Sequence, residues 1–280
     1  MRVYISADIE GVTGVVTWGQ AGAPSSNNYD WPHARRMMTH DVNAAVRGAR
    51  AVGATRILVK DSHGGGKNLL VEDLEPNTEL LSGSGSGVLG MMESVDGGFD
   101  CAMLVGYHAM AGTAEGVMEH TISGNVHRYW INGMPAGEMA MSAAAAGVHG
   151  VPIVMVSSDR AGCDEASALL PGAYTAVTKH GLGRYMGRLL HPSETGPAIE
   201  AAAREAVANI TKVQPFAPVH PVTVRIEFNR TEECDVACQL LEWERVDAYT
   251  VECTADDWPT AHVASRRAMA AAGTGAAHGN

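Results

Sequence analysis

The opening of the chain constrains its fold most. An apolar run, Val3-Tyr4-Ile5-Ser6-Ala7, is followed by a loop, then by a helix-patterned stretch, then by a second apolar run, Arg56-Ile57-Leu58-Val59-Lys60. In the middle stretch Met38, Val42, Ala45, Val46 and Ala49 recur at helical spacing, Pro32 suits a first helical position, and Gly53 stops the helix after about Val52. Strand, helix and strand in that order imply parallel pairing through a right-handed crossover. Further strands are expected at residues 79–82, 101–106 and 151–156. A hairpin is expected around Asn132-Gly133 and a helix over 139–148. After Gly162 a helix reaches about Leu170, and Tyr174 to Val177 reads as one more strand. A long helix over 193–212 opens with Ser193 as its cap. Pro215, Pro218 and Pro221 mark a linker, and beyond it strand, helix, strand and helix are expected at 222–228, 231–242, 246–253 and 256–272. The expected architecture is α/β. A mostly parallel central sheet flanked by helices fills residues 1–212, and a small C-terminal α+β unit fills 213–280, with Gly273–Asn280 disordered.

The chemistry-bearing residues cluster where these strands end. Asp8-Ile9-Glu10 closes the first strand, and a period of two puts both carboxylates on one face. Two such groups aimed alike are costly unless a positive charge lies between them. No lysine follows for fifty residues, which makes a metal ion the natural candidate. The second strand ends in Asp61-Ser62-His63 before three glycines. The strand at 101–106 ends in Tyr107-His108, and Glu138 follows the hairpin at the head of a helix. Carboxyl ends of strands are where open α/β sheets place their ligands. Asp159 falls at the same edge and reads as a helix cap or a group supporting the ligands. An oxygen- and nitrogen-rich set without thiolate suits zinc, manganese or cobalt at a hydrolytic site. Three carboxylates and two histidines exceed one open tetrahedral zinc, whereas two metals bridged by a carboxylate would use them all.

Other features narrow the class. A formal net charge of −11 argues against nucleic acid and anionic membrane surfaces as partners. No apolar run is long enough to span a bilayer, and the start has no signal-peptide shape, so a cytoplasmic location is expected. The five scattered cysteines fit reduced thiols, and Cys234 and Cys238, four apart on a helix, fit core packing. Gly85 to Gly90 matches a Gly-x-Gly-x-x-Gly pattern, but it does not follow the first strand. It reads as a loop near the site, not a dinucleotide cradle.

Taken together, Ser-x-Asp-x-Glu-Gly at 6–11, Asp-Ser-His at 61–63, Gly-Tyr-His-Ala at 106–109 and Asn-Gly-x-Pro-x-Gly-Glu at 132–138 closely resemble the DppA-type zinc D-aminopeptidases. Met-Thr-x-Asp-Val-Asn-Ala-Ala at 38–45 and Asn68-Leu69-Leu70 extend the resemblance over nearly the whole chain. The resemblance implies a centre of two zinc ions per subunit. Asp8 would bridge, Glu10 and His63 would complete one site, and His108 and Glu138 the other. His120 falls where that family has its essential histidine that is not a ligand, acting as base or nucleophile. The resemblance also implies a homo-oligomer, a decamer of two stacked pentamers, and a small peptide or amide as substrate. The chain departs from the family at the Gly/Ser-rich residues 83–87, a difference that bears on the substrate pocket more than on the metals. Two other classes fit the same ligands. One is a two-metal phosphoesterase or another metal-dependent amidase, and the scarcity of Lys and Arg beside the ligand motifs weighs against the phosphoesterase. The other is a metal-dependent binding protein without activity, against which the retention of every family ligand and of His120 weighs.

Overall fold

A computed structural model describes residues 1–22, 28–85 and 87–275. In chain order the elements are β1 (Arg2–Ala7), α1 (Trp31–Ala51), β2 (Arg56–Asp61), β3 (Glu79–Leu81), β4 (Cys101–Val105), β5 (Val126–Ile131), β6 (Met134–Pro135), α2 (Glu138–Gly147), β7 (Ile153–Asp159), α3 (Arg160–Leu169), β8 (Tyr174–Gly183), β9 (Met186–Leu189), α4 (Pro192–Ala208), β10 (Val222–Phe228), α5 (Thr231–Ala237), β11 (Glu244–Arg245), β12 (Thr250–Ala255) and α6 (Trp258–Gly275).

Seven strands form the main sheet in the order β3-β2-β1-β4-β7-β8-β9. Every neighbouring pair is parallel except β8 with β9, so the mostly parallel sheet expected from the β–α–β opening is present. Both faces of β1 are covered, which explains its continuous apolar run. Val3 and Ile5 join Met38, Val42 and Val46 of α1 and Ile199 and Ala203 of α4 in one buried cluster. Tyr4 points the other way, into a cluster with Met139 and Ala143 of α2, Val224 and Ile226 of β10, and Trp258 of α6. The strand order runs outward in opposite directions from β1 and β4. A crevice therefore opens at their carboxyl ends, the topological switch point of such a sheet.

The second sheet is antiparallel, in the order β11-β12-β10-β5-β6. Its central strand β10 pairs with β12 on one side and with β5 on the other, so this sheet straddles the expected boundary at 212/213. Glu138 is carried back to the main sheet through β5, β6 and α2.

Several local expectations change. The cap of α4 is His191, whose ring nitrogen accepts the Ser193 backbone N–H at 3.1 Å, and the helix ends at Ala208, four residues early. Helix α5 stops at Ala237, and β8 runs six residues beyond Val177 before turning into β9. The polar and glycine residues Lys179, His180, Gly181 and Gly183 break the apolar pattern there, which hid a strand and its hairpin from a reading by hydrophobicity. Gly273–Gly275 continue α6 in place of the expected disorder, and residues 276–280 lie outside the described residues.

Candidate metal centre

Two loops interlock beneath the centre. Gly11 donates its backbone N–H to the Gly106 carbonyl at 2.8 Å. A Cβ on Gly11 would stand 1.7 Å from the Tyr107 carbonyl oxygen, and one on Gly106 (φ +72°) 2.5 Å from the Asp8 carbonyl oxygen. Glycine at both positions lets the loop after β1 touch the loop after β4, bringing Asp8 and Glu10 to His108.

Other groups hold these loops from behind. Asp41 of α1 accepts the Thr13 backbone N–H and hydroxyl, each at 2.8 Å. Lys179, wholly buried in β8, donates to the carbonyls of Glu10, Val12 and Val15 at 2.5, 2.7 and 2.6 Å. Asp61 accepts from the backbone of Asn68 and Leu69 and from the Asn68 side chain, which in turn donates to the His63 carbonyl at 2.9 Å. Asp159 caps α3 through Gly162 and also accepts the Val117 N–H at 2.6 Å, three residues before His120. The expected cap is thus found, with a second function in fixing the loop that carries His120.

Asp8 stands between two imidazoles. Its Oδ1 is 3.1 Å from His63 Nδ1, and its Oδ2 is 3.5 Å from His108 Nε2. Glu10 Oε1 is 3.2 Å from the same His63 nitrogen, and Glu138 Oε1 is 3.3 Å from the same His108 nitrogen. Each histidine is therefore paired with its own glutamate and with one oxygen of Asp8. Glu138 also accepts the Ile122 N–H at 2.7 Å, which orients its carboxylate. The five residues proposed as ligands from the sequence all meet here, and His120 stands beside them.

The donor set fits a cation. Among the described residues Asp8 Oδ2, both Glu10 carboxylate oxygens and His108 Nε2 are buried with no hydrogen-bond partner. His108 Nδ1 donates to the Ala109 carbonyl at 3.0 Å, so Nε2 is the nitrogen turned toward the oxygens of Asp8 and Glu138. A proton or a cation must lie between Nε2 and those oxygens, and a shared cation would serve both sides. The titration of the groups shows the same imbalance. Burial and the neighbouring Glu10 charge push Asp8 up to about 7. Burial works to raise Glu10, but the facing His63 brings it well below its usual range. Burial opposes charge on His63 and His108, yet Glu10 and Asp8 drive the former up and Glu138 the latter.

His120 differs from the other two histidines. Its Nδ1 contacts the Met118 carbonyl at 2.9 Å, leaving Nε2 as the lone-pair nitrogen, 3.5 Å from Glu138 Oε1. The ring stacks on His108 with centroids 4.0 Å apart and meets the edge of Trp18 at 5.1 Å. Burial and the adjacent His108 lower its proton affinity. Trp18 thus shapes the surroundings of His120.

A cleft of about 620 Å³ opens over the centre. It is lined by Asp8, Glu10, His63, His120 and Glu138, by the Gly83–Gly85 stretch and Gly87, and by His262 and Arg266 from α6. The loop reading of residues 83–87 holds for its described members, and the loop forms a wall of this cleft. His262 and Arg266 were not anticipated, since only the packing of α6 on the antiparallel sheet and against α2 brings them here.

Fold and centre together define an α/β protein with a buried carboxylate–imidazole cluster at the switch point of its sheet, the design of a metallohydrolase. Comparison makes this specific. The sequence model of the D-aminopeptidase family matches residues 1–266. A D-aminopeptidase of Bacillus subtilis (strain 168) is 35% identical over 230 residues, covering 81% of each chain. The solved structure of the Zn-dependent D-aminopeptidase DppA from Bacillus subtilis, described as a self-compartmentalizing protease, superposes with a TM-score of 0.92 at 32% identity. It covers 97% of this chain and 98% of its own. The chain belongs to the D-aminopeptidase family.

Proposed function

We propose that this chain is a zinc-dependent aminopeptidase that releases the amino-terminal residue, of D configuration, from small peptides or amides, with two zinc ions per subunit. The observation that carries the reading is the position of Asp8, one carboxylate oxygen facing the His63–Glu10 pair and the other facing the His108–Glu138 pair. Asp8 would hold both ions, with Glu10 and His63 on one side and His108 and Glu138 on the other. Zinc held there would polarise the scissile carbonyl and supply a nucleophile from water near neutral pH.

The remaining steps belong to the chain. His120 Nε2 takes the proton of the attacking water and returns it to the leaving amine, because the Met118 contact holds Nδ1–H away from the reaction. Trp18 and His108 confine the ring between them, so the base acts from one orientation. Lys60, a cation on the cleft wall, is engaged by the carbonyls of Asp61 and Gly83, so it supports the wall and does not present itself to a phosphate.

Zinc analysis of the purified protein and turnover of matched D- and L-alanyl peptides test the reading. Two zinc ions per chain and preferential cleavage of the D-peptide are expected. Hydrolysis of a phosphate ester with no turnover of any amide would overturn it.

We propose also that the chain assembles into a homo-oligomer, a decamer by likeness to the family. The hairpin of β8 and β9, at one edge of the main sheet, exposes Leu182, Tyr185, Met186 and Leu189. Apolar side chains at a sheet edge are ordinarily covered by another chain. A light-scattering mass near 29.4 kDa would refute assembly.

A further inference from the structure

The cleft carries two groups that the hydrolytic centre does not use. His262 is 5% exposed, lines the cleft, and has no hydrogen-bond partner at either ring nitrogen among the described residues. A buried imidazole with neither nitrogen satisfied is costly, and a group entering the cleft is available to relieve it. Arg266 lies one helical turn further along the same face of α6. Its Nη1 donates to the Gly87 carbonyl at 3.1 Å, and among the described residues it has no carboxylate partner.

The two side chains converge. A Cβ built on Gly90 would lie 2.8 Å from His262 Nε2 and 3.5 Å from Arg266 Nη1. Glycine at 90, with φ +61°, thus keeps a side chain out of the space beside both nitrogens. The next residue, Met91, accepts from the hydroxyls of Ser6 and Ser62 through its carbonyl, so this turn is tied to the residue before His63. The other charged groups on this wall are engaged by the main chain, Lys60 by the carbonyls of Asp61 and Gly83 and Glu93 by the Leu89 N–H at 3.2 Å. His262 and Arg266 face a cleft whose metal-binding part carries three carboxylates.

We propose that His262 and Arg266 form a subsite for the terminal carboxylate of the substrate, which makes short peptides with a free C-terminus, and not amides, the preferred substrates. The proposal rests on the aminopeptidase reading and adds a polarity to the cleft. The substrate's ammonium is drawn to the acidic centre and its carboxylate to α6. One delocalised cation with one N–H donor matches a monoanionic carboxylate.

The test compares D-alanylglycine with D-alanylglycinamide, which differ only at the terminal carboxylate. For the zinc-loaded wild type, kcat/KM on the acid is expected to exceed that on the amide by about 10- to 100-fold, the size of a lost charge-assisted hydrogen bond. In Arg266→Gln the ratio should collapse toward unity, in Arg266→Lys it should recover in part, and in His262→Phe it should fall by a smaller factor. Calorimetric binding of the two compounds to zinc-stripped protein should show the same order without turnover. A wild-type ratio near one overturns the subsite while leaving the aminopeptidase reading intact, and it does so even where a variant fails to fold. Equal loss on both compounds in Arg266→Gln also overturns it, because Arg266 would then act only by holding Gly87. Turnover of neither compound by the zinc-loaded wild type overturns the aminopeptidase reading and the subsite with it.

Discussion

Replacing Lys179 with methionine tests what holds the loop behind Glu10. The ammonium is wholly buried and donates to three main-chain carbonyls within six residues. Methionine fills much of the same volume and donates nothing. Val12 O keeps the Val15 N–H at 3.5 Å, but the carbonyls of Glu10 and Val15 have no other partner among the described residues. Two stranded buried carbonyls cost about 1–3 kcal/mol each, roughly 2–6 kcal/mol in all. Removing the buried charge returns part of this, because burial pulls Lys179 down to about 8, against the opposing charges of Asp159, Asp41 and Glu10. A net loss of about 2–4 kcal/mol is expected. Urea unfolding of chelator-treated protein, followed by tryptophan fluorescence, measures it without interference from lost metal. A loss below about 1 kcal/mol, with an unchanged m-value, would refute the reasoning. The carbonyls would then be finding water as readily as they find Lys179.

Three further outcomes are expected. Asp8→Ala should abolish most zinc binding, because a bridge serves both ions, and elemental analysis still giving two ions per chain would exclude the bridging role. His120→Ala should keep both metals and the fold while kcat falls about 100-fold or more and KM changes much less, measured by steady-state kinetics beside zinc analysis. His262 has its proton affinity lowered to about 4, chiefly by burial, from the usual 6.5. The unfolded chain therefore binds the extra proton between those values, and stability complete above pH 6.5 is lost as pH falls toward 4. The loss is about 3 kcal/mol. The pH dependence of urea midpoints for wild type and His262→Leu checks it: the difference between the two curves should change across that window and stay flat above it.

The metal centre was legible to the extent that its residues follow strands of plain apolar pattern. Asp8, Glu10, His63 and His108 each stand within three residues of the end of β1, β2 or β4. Parallel pairing alone brings such ends to one edge. Glu138 was reachable because the Asn132-Gly133 turn announces a hairpin, although the sheet that hairpin joins was not foreseen. Its partner strand β10 begins more than ninety residues later, and no local signal records that pairing. Lys179 was hidden for a related reason. A lysine in a strand reads as solvent-facing, and only the return of the loop at Glu10–Val15 makes its burial tolerable. His262 and Arg266 share a helix face that packs on one sheet while overhanging a cleft at the edge of another. A single amphipathic pattern does not separate those two surroundings.

Charge supports the proposal of two ions independently of ligand count. Asp8, Glu10 and Glu138 bring three carboxylates together where each is almost wholly buried. Lys179 forms no ion pair with them, since its ammonium is held by the carbonyls of Glu10, Val12 and Val15. Without a cation, neutrality demands protons on Asp8, His63 and His108, and those are the groups whose proton affinity rises. One divalent ion would leave the cluster negative, opposing the negative charge that grows on a carbonyl oxygen during amide attack. Two would leave it positive by one, which would favour that oxygen and give the orphaned atoms of Asp8, Glu10 and His108 a partner. A centre built to hold a single ion would have no use for the second glutamate–histidine pair, and burying it would cost stability with no compensating interaction.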